Sequence, residues 1–227
     1  MKSEIRILLR DIQAAARIGH TESLWAALEN LQGLAQVAGN HPMDETFLNQ
    51  VILPVGEAVA RVRLSHAALR PLTAHAIASY RAIAAVALLR QYLEGRNGTT
   101  LKSLNILVQD PRQDVRAAIR LAAGRTEQAD PDKLNELYET WQASSSPRVQ
   151  ALAFQILPNL PQEIALQKIE MLKTEMVQNQ PEAKKSMAGT LATLAVDGQA
   201  GKVLQILARW AAQPDPDDRI ITLSLSK

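Results

Sequence analysis

The 227-residue chain contains no cysteine. That excludes disulfides, thiolate zinc sites and thiol nucleophiles together, and it fits a reducing cytosol. Aromatic residues make up only 4% of the chain against 47% hydrophobic residues overall, so the core must be built from Ala, Leu, Ile and Val. Small aliphatic side chains suit helices packed closely on helices. No stretch approaches the roughly eighteen unbroken apolar residues of a membrane span. The opening MKSEIRILLRDIQAAAR mixes charged and apolar residues and lacks the apolar run of a secretory signal. The expected setting is cytoplasmic, with no membrane contact.

Catalytic patterns are missing too. The four histidines, His20, His41, His66 and His75, occur in no metal-ligand spacing with a nearby carboxylate. Gly198-Gln-Ala-Gly-Lys202 has a Gly-Lys pair, but the first glycine of a phosphate-binding loop is absent and Val203 stands where Ser or Thr would meet magnesium. Gly95-Arg-Asn-Gly-Thr-Thr100 lacks the lysine. Both read as turns between helices, as does Ser144 to Ser146 ahead of Pro147. The expectation is a non-enzyme with no cofactor and no metal.

Charge is present but uneven. From Arg61 to Arg125 there are eleven Lys and Arg against three acids, Glu94, Asp110 and Asp114; from Gln128 onward the balance is ten against twelve. A local cationic excess suits an anionic partner, and arginine is equally a good helix former on a solvated face.

Apolar residues recur at three- and four-residue spacing throughout, with no sustained strand-like alternation. Gly and Pro divide the chain into about twelve expected helices. The first runs from about Ser3 to Ile18 and stops at Gly19. The second, with Thr21 as N-cap, reaches Val37 and ends at Gly39-Asn40. The third covers about Asp44 to Leu64 with a kink or break at Pro54, and the fourth about Pro71 to Leu93. Beyond Thr99, shorter helices alternate with short turns, as antiparallel pairs require. Pro111, Pro147, Pro181 and Pro216 open the second helix of each pair, at spacings of 36, 34 and 35 residues.

The clearest unit runs from Ile106 to Gly124. Its Gln109-Asp110-Pro111 turn leads into Asp114-Val115-Arg116, and Val115, Ala118, Ile119 and Ala122 form one apolar face. This turn and the Val-Arg-x-Ala-Ala second helix closely resemble the HEAT repeat. Weaker copies start at Ser146, Pro181 and Asp215, so the resemblance covers about Thr99 to Lys227. It implies an all-α fold, a right-handed α-solenoid of stacked antiparallel helix pairs with a period near 35. Residues 1–96 then form a helical region of divergent repeats or a cap, and 97–227 the repeats, the last incomplete. Stacking is what such a unit needs, since one short pair cannot bury its own apolar face.

The resemblance implies a scaffold that presents a concave surface to another protein. The alternative is a HEAT-like nucleic-acid-binding protein using the basic stretch 61–125. A third reading follows from a fainter resemblance to bacterial HEAT-like DNA glycosylases of the alkylation-repair class, carried only by Trp210 followed by Asp217-Asp218-Arg219. Candidate binding residues are Arg112, Arg148, Lys184 and Arg219, spaced by 36, 36 and 35 residues near the start of second helices, with Arg116 and Arg120 extending the edge. Cations there oppose the helix dipole by about 0.3–1 kcal/mol each. Their repetition suggests an anion-binding edge; the alternative is that nearby acids such as Asp114, Glu182, Asp217 and Asp218 pair with them to lock neighbouring repeats. At the end, Ile220, Ile221, Leu223 and Leu225 have no following repeat to cover them. The expectation is either a piece of a longer protein or self-association or docking through this end.

Overall fold

The computed structural model describes residues 2–62, 66–95, 98–125, 131–175 and 181–212. Every regular element among them is helical, so the fold is all-α. They group into two compact units, residues 1–133 and 134–227. The boundary expected at residue 96 lies inside the first unit, because the helices on either side of it pack together.

In the first unit, α1 is Lys2–Ile18, α2 Thr21–Glu29, α3 Ala35–Ala38, α4 Glu45–Phe47, α5 Leu53–Arg61, α6 His66–Thr73, α7 Ala78–Leu93, α8 Thr99–Val108 and α9 Gln113–Ala123. Helix α7 packs on α5, α8 and α9, and α1 packs on α2 and α5. The sequence of α7 explains its place. Of its sixteen residues only Arg81 and Arg90 escape full burial, as expected of a helix covered by neighbours on several sides. Small side chains let those neighbours close in. A Cβ added to Gly56 of α5 would stand 2.5 Å from Val86 Cβ, so glycine sets the α5–α7 approach.

Several helix ends follow local chemistry. Gly19 takes a left-handed φ of 72° and Asn40 one of 46°, which ends the preceding segments where the sequence places them. Three expectations need correction. The N-cap of α2 is His20, not Thr21, and its ring accepts from Ser23 N–H. The expected helix 21–37 is interrupted: α2 gives way to a 3-10 turn, Asn30–Gly33, and Leu34 is extended, in keeping with the poor helix propensity of Gly33. The expected helix 71–93 is two helices, with Pro71 inside α6 and a break before Ala78. There the freed N–H of Ala78 donates to the side-chain oxygen of Asn40 at 3.0 Å. The kink expected at Pro54 takes the form of a π-turn, Leu48–Ile52, just ahead of it. Proline crowds the carbonyl four residues back, and a widened turn relieves that clash.

In the second unit, α10 is Pro131–Gln142 (entering from the first), α11 Pro147–Ile156, α12 Gln162–Glu175, α13 Pro181–Leu194 and α14 Ala200–Ala211. Helix α13 packs on α11, α12 and α14. Pro147 and Pro181 are the first residues of α11 and α13, as expected. Pro111 is not, because α9 opens two residues later at Gln113. Pro216 lies outside the described residues, as do Arg219 and the apolar residues from Ile220 onward. Of the turn expected at residues 198–202, Gly198 turns the chain with φ 91°, whereas Ala200 to Lys202 already form the start of α14. Trp141 and Trp210 are buried. No helix among the described residues is long and apolar enough to cross a membrane.

Candidate functional site

The most developed polar cluster surrounds the turn between α8 and α9. Arg81, the first non-buried residue of α7, points its guanidinium at Asp110. Its Nε donates to Oδ2 at 2.6 Å and its Nη2 to Oδ1 at 3.2 Å, while Nη1 donates to the carbonyls of His75 at 2.8 Å and Ala76 at 2.9 Å. The Asp110 side chain is 5% exposed and that of Arg81 16%. Arg112 N–H also donates to Asp110 Oδ1, at 2.9 Å, and Arg116 Nη1 donates to the Asp110 carbonyl. One carboxylate thus fastens the start of α7 to the turn into α9.

Asp114 makes a second fastening. Its Oδ2 accepts from Arg112 Nη2 at 2.8 Å and from Met43 N–H at 3.0 Å, and its Oδ1 accepts from Val115 N–H at 3.0 Å. Arg112 Nη1 reaches the Asn40 carbonyl at 3.2 Å. Burial alone would raise the Asp114 carboxyl; hydrogen bonds from Arg112, Met43 and Val115, with the Arg112 charge, outweigh it and leave the group below its ordinary range. A depressed folded-state value stabilises the fold above the unfolded carboxylate pKa of about 3.9, and that contribution fades as pH falls through the lower folded value. Urea midpoints measured from pH 6 to pH 2 should therefore show a loss below about pH 4 that is smaller in Asp114→Asn. Parallel acid limbs in the two proteins would show that Asp114 contributes nothing to the pH dependence.

A matching clasp lies toward the other end of α7. Arg90 Nη2 donates to Glu57 Oε1 at 3.3 Å and to the Arg125 carbonyl at 2.6 Å. Arg125 Nη2 donates to the Asn49 carbonyl at 3.3 Å and to Asn49 Oδ1 at 3.0 Å. Nine residues separate Arg81 from Arg90, which puts them on opposite sides of α7.

Among the six candidate binding residues, Arg112 and Arg116 are therefore engaged within the protein. Arg120 is half-buried one turn beyond Arg116 on α9, and Arg148 is exposed in the first turn of α11. Lys184 belongs to α13, its side chain outside the described part, and Arg219 is outside the described residues altogether. In the first unit Arg116 and Arg120 lie on α9 and Arg112 is its extended N-cap residue; Arg148 and Lys184 belong to the second. The residues that sequence reasoning missed are Arg81, Arg90, Glu57, Asn40 and Asn49. For the two arginines a signal was present: they are the only charged residues within the apolar stretch Ala78–Leu93.

A separate feature lies between α1 and α5, a cavity of about 250 Å³ lined by Gln13, Ala16, Arg17, Ala58 and Arg61. No family model, no curated protein and no solved structure matches the chain.

Proposed function

We propose that this chain is a HEAT-type helical-repeat scaffold that works by presenting a surface to a protein partner. The repeat reading rests on the 34- to 36-residue spacing of the four prolines and on helix packing within each unit. In the first unit α5, α7 and α9 pack in succession, and in the second α11 packs on α13; stacked second helices are what a solenoid requires. The choice of a protein partner over nucleic acid rests on one observation. Arg81, Arg90, Arg112, Arg116 and Arg125, nearly half of the basic stretch, direct their guanidinium groups to carboxylates and carbonyls of the same unit. Cations already held in this way are poor phosphate ligands, because each contact to DNA or RNA would have to replace an internal one.

The test is fluorescence anisotropy with labelled duplex DNA and single-stranded RNA between 50 and 200 mM salt. The scaffold reading predicts no binding tighter than about 10⁻⁴ M at physiological salt. Micromolar affinity that falls steeply with salt would replace it with the nucleic-acid reading.

A further inference from the structure

The cavity between α1 and α5 brings two exposed arginines of the first unit into one wall. Arg17 belongs to the last turn of α1 and Arg61 to the last turn of α5. A cation at a helix C-terminus complements the dipole, and that alone accounts for one arginine at each end. It does not account for both lining one small space with no carboxylate in its wall. Arg81, Arg90, Arg112, Arg116 and Arg125 engage internal acceptors, whereas the side chains of Arg17, Arg61, Arg70 and Arg120 have no hydrogen bond or ion pair among the described residues; of these four, Arg17 and Arg61 line the cavity. Nearby acids on the same helices are occupied: Asp11 lies 3.4 Å from Arg10 and Glu57 3.3 Å from Arg90.

The remaining wall fits an anion. Gln13 stands one turn before Arg17 on the same face of α1 and adds an amide donor. Ala16 and Ala58 are buried and short, so they leave the floor open and apolar. Guanidinium forks match tetrahedral oxyanions with paired N–H groups. A space of about 250 Å³ is below the roughly 300–1,000 Å³ of pockets for drug-sized ligands, which suits a small anion or a single headgroup.

We propose that this cavity binds phosphate, free or as the monoester group of a small molecule, between the guanidinium groups of Arg17 and Arg61 with Gln13 donating alongside. The site does not depend on the protein-partner reading, and either can fail without the other.

Isothermal titration of the full chain with inorganic phosphate and with glycerol phosphate, in chloride of matched ionic strength, tests it. Saturable binding of at least one probe is expected. Arg17→Gln combined with Arg61→Gln should weaken that binding tenfold or more while leaving the helical circular dichroism signal intact. Arg70→Gln, which removes an exposed arginine outside the cavity, should leave it unchanged. Comparable binding of both probes identifies free phosphate as sufficient, and binding of glycerol phosphate alone identifies a monoester ligand; either supports the site. Absence of binding by both probes, wild-type affinity in the double variant, or an equal loss in Arg70→Gln overturns it.

Discussion

Replacing Asp110 by alanine is expected to destabilise the protein by about 3 kcal/mol. Removing one partner of a buried ion pair costs about 3–5 kcal/mol, because the charge left behind has lost its compensation. Both side chains here are mostly shielded from water, so solvent screening takes little away. The lower end of the range applies because Arg81 keeps two carbonyls, those of His75 and Ala76. Asp110→Asn retains an acceptor of the same shape and should fall between the wild type and the alanine variant. Equilibrium urea unfolding reads both. A loss under about 1 kcal/mol for Asp110→Ala would place the pair with ordinary surface salt bridges.

Truncating the buried faces of the second helices should cost a comparable amount. Ile119 of α9 and Leu152 of α11 are 0% and 1% exposed, and Ile or Leu to Ala at such sites costs about 2–5 kcal/mol. The two should not be equal. Ile119 belongs to a helix packed on Ala-rich α7, whose short side chains cannot reach into a void, so Ile119→Ala should fall in the upper half of that range. The α13 helix that packs on α11 carries Met187 and Leu191 in its buried face. Flexible side chains of that kind fill space more readily, and Leu152→Ala should be milder. Losses below about half a kcal/mol at both positions, well under the cavity range, would mean that neither face is packed as described.

Features set by neighbours in sequence were legible before the structure. Val115, Ala118, Ile119 and Ala122 follow helical spacing and are all buried. Gly19 and Asn40 have the positive φ that ends a segment, and Pro147 and Pro181 stand where an unpaired N–H would otherwise be. What spacing cannot encode is the partner across a packed interface. Arg81 meets Asp110 across 29 residues, and Met43 meets Asp114 across 71. The periodic cations were visible as a series, and two of their acceptors are close in sequence, Asp114 for Arg112 and the Asp110 carbonyl for Arg116; the Asn40 carbonyl that also takes up Arg112 lies 72 residues away and was not legible. The break before Ala78 was hidden because no proline or glycine stands beside it, whereas Gly33 stood next to the break at Leu34 as a signal left unread.

We propose that the arginines of the basic stretch with internal acceptors hold helices together and form no anion-binding edge. The most direct test is the triple variant Arg81→Gln, Arg112→Gln, Arg116→Gln, followed by urea unfolding and by DNA and RNA titration at low salt. A clear fall in the unfolding midpoint is expected, with no nucleic-acid affinity in the wild type for the variant to lose. A variant as stable as the wild type that has lost a strong, salt-dependent affinity for DNA or RNA would contradict it.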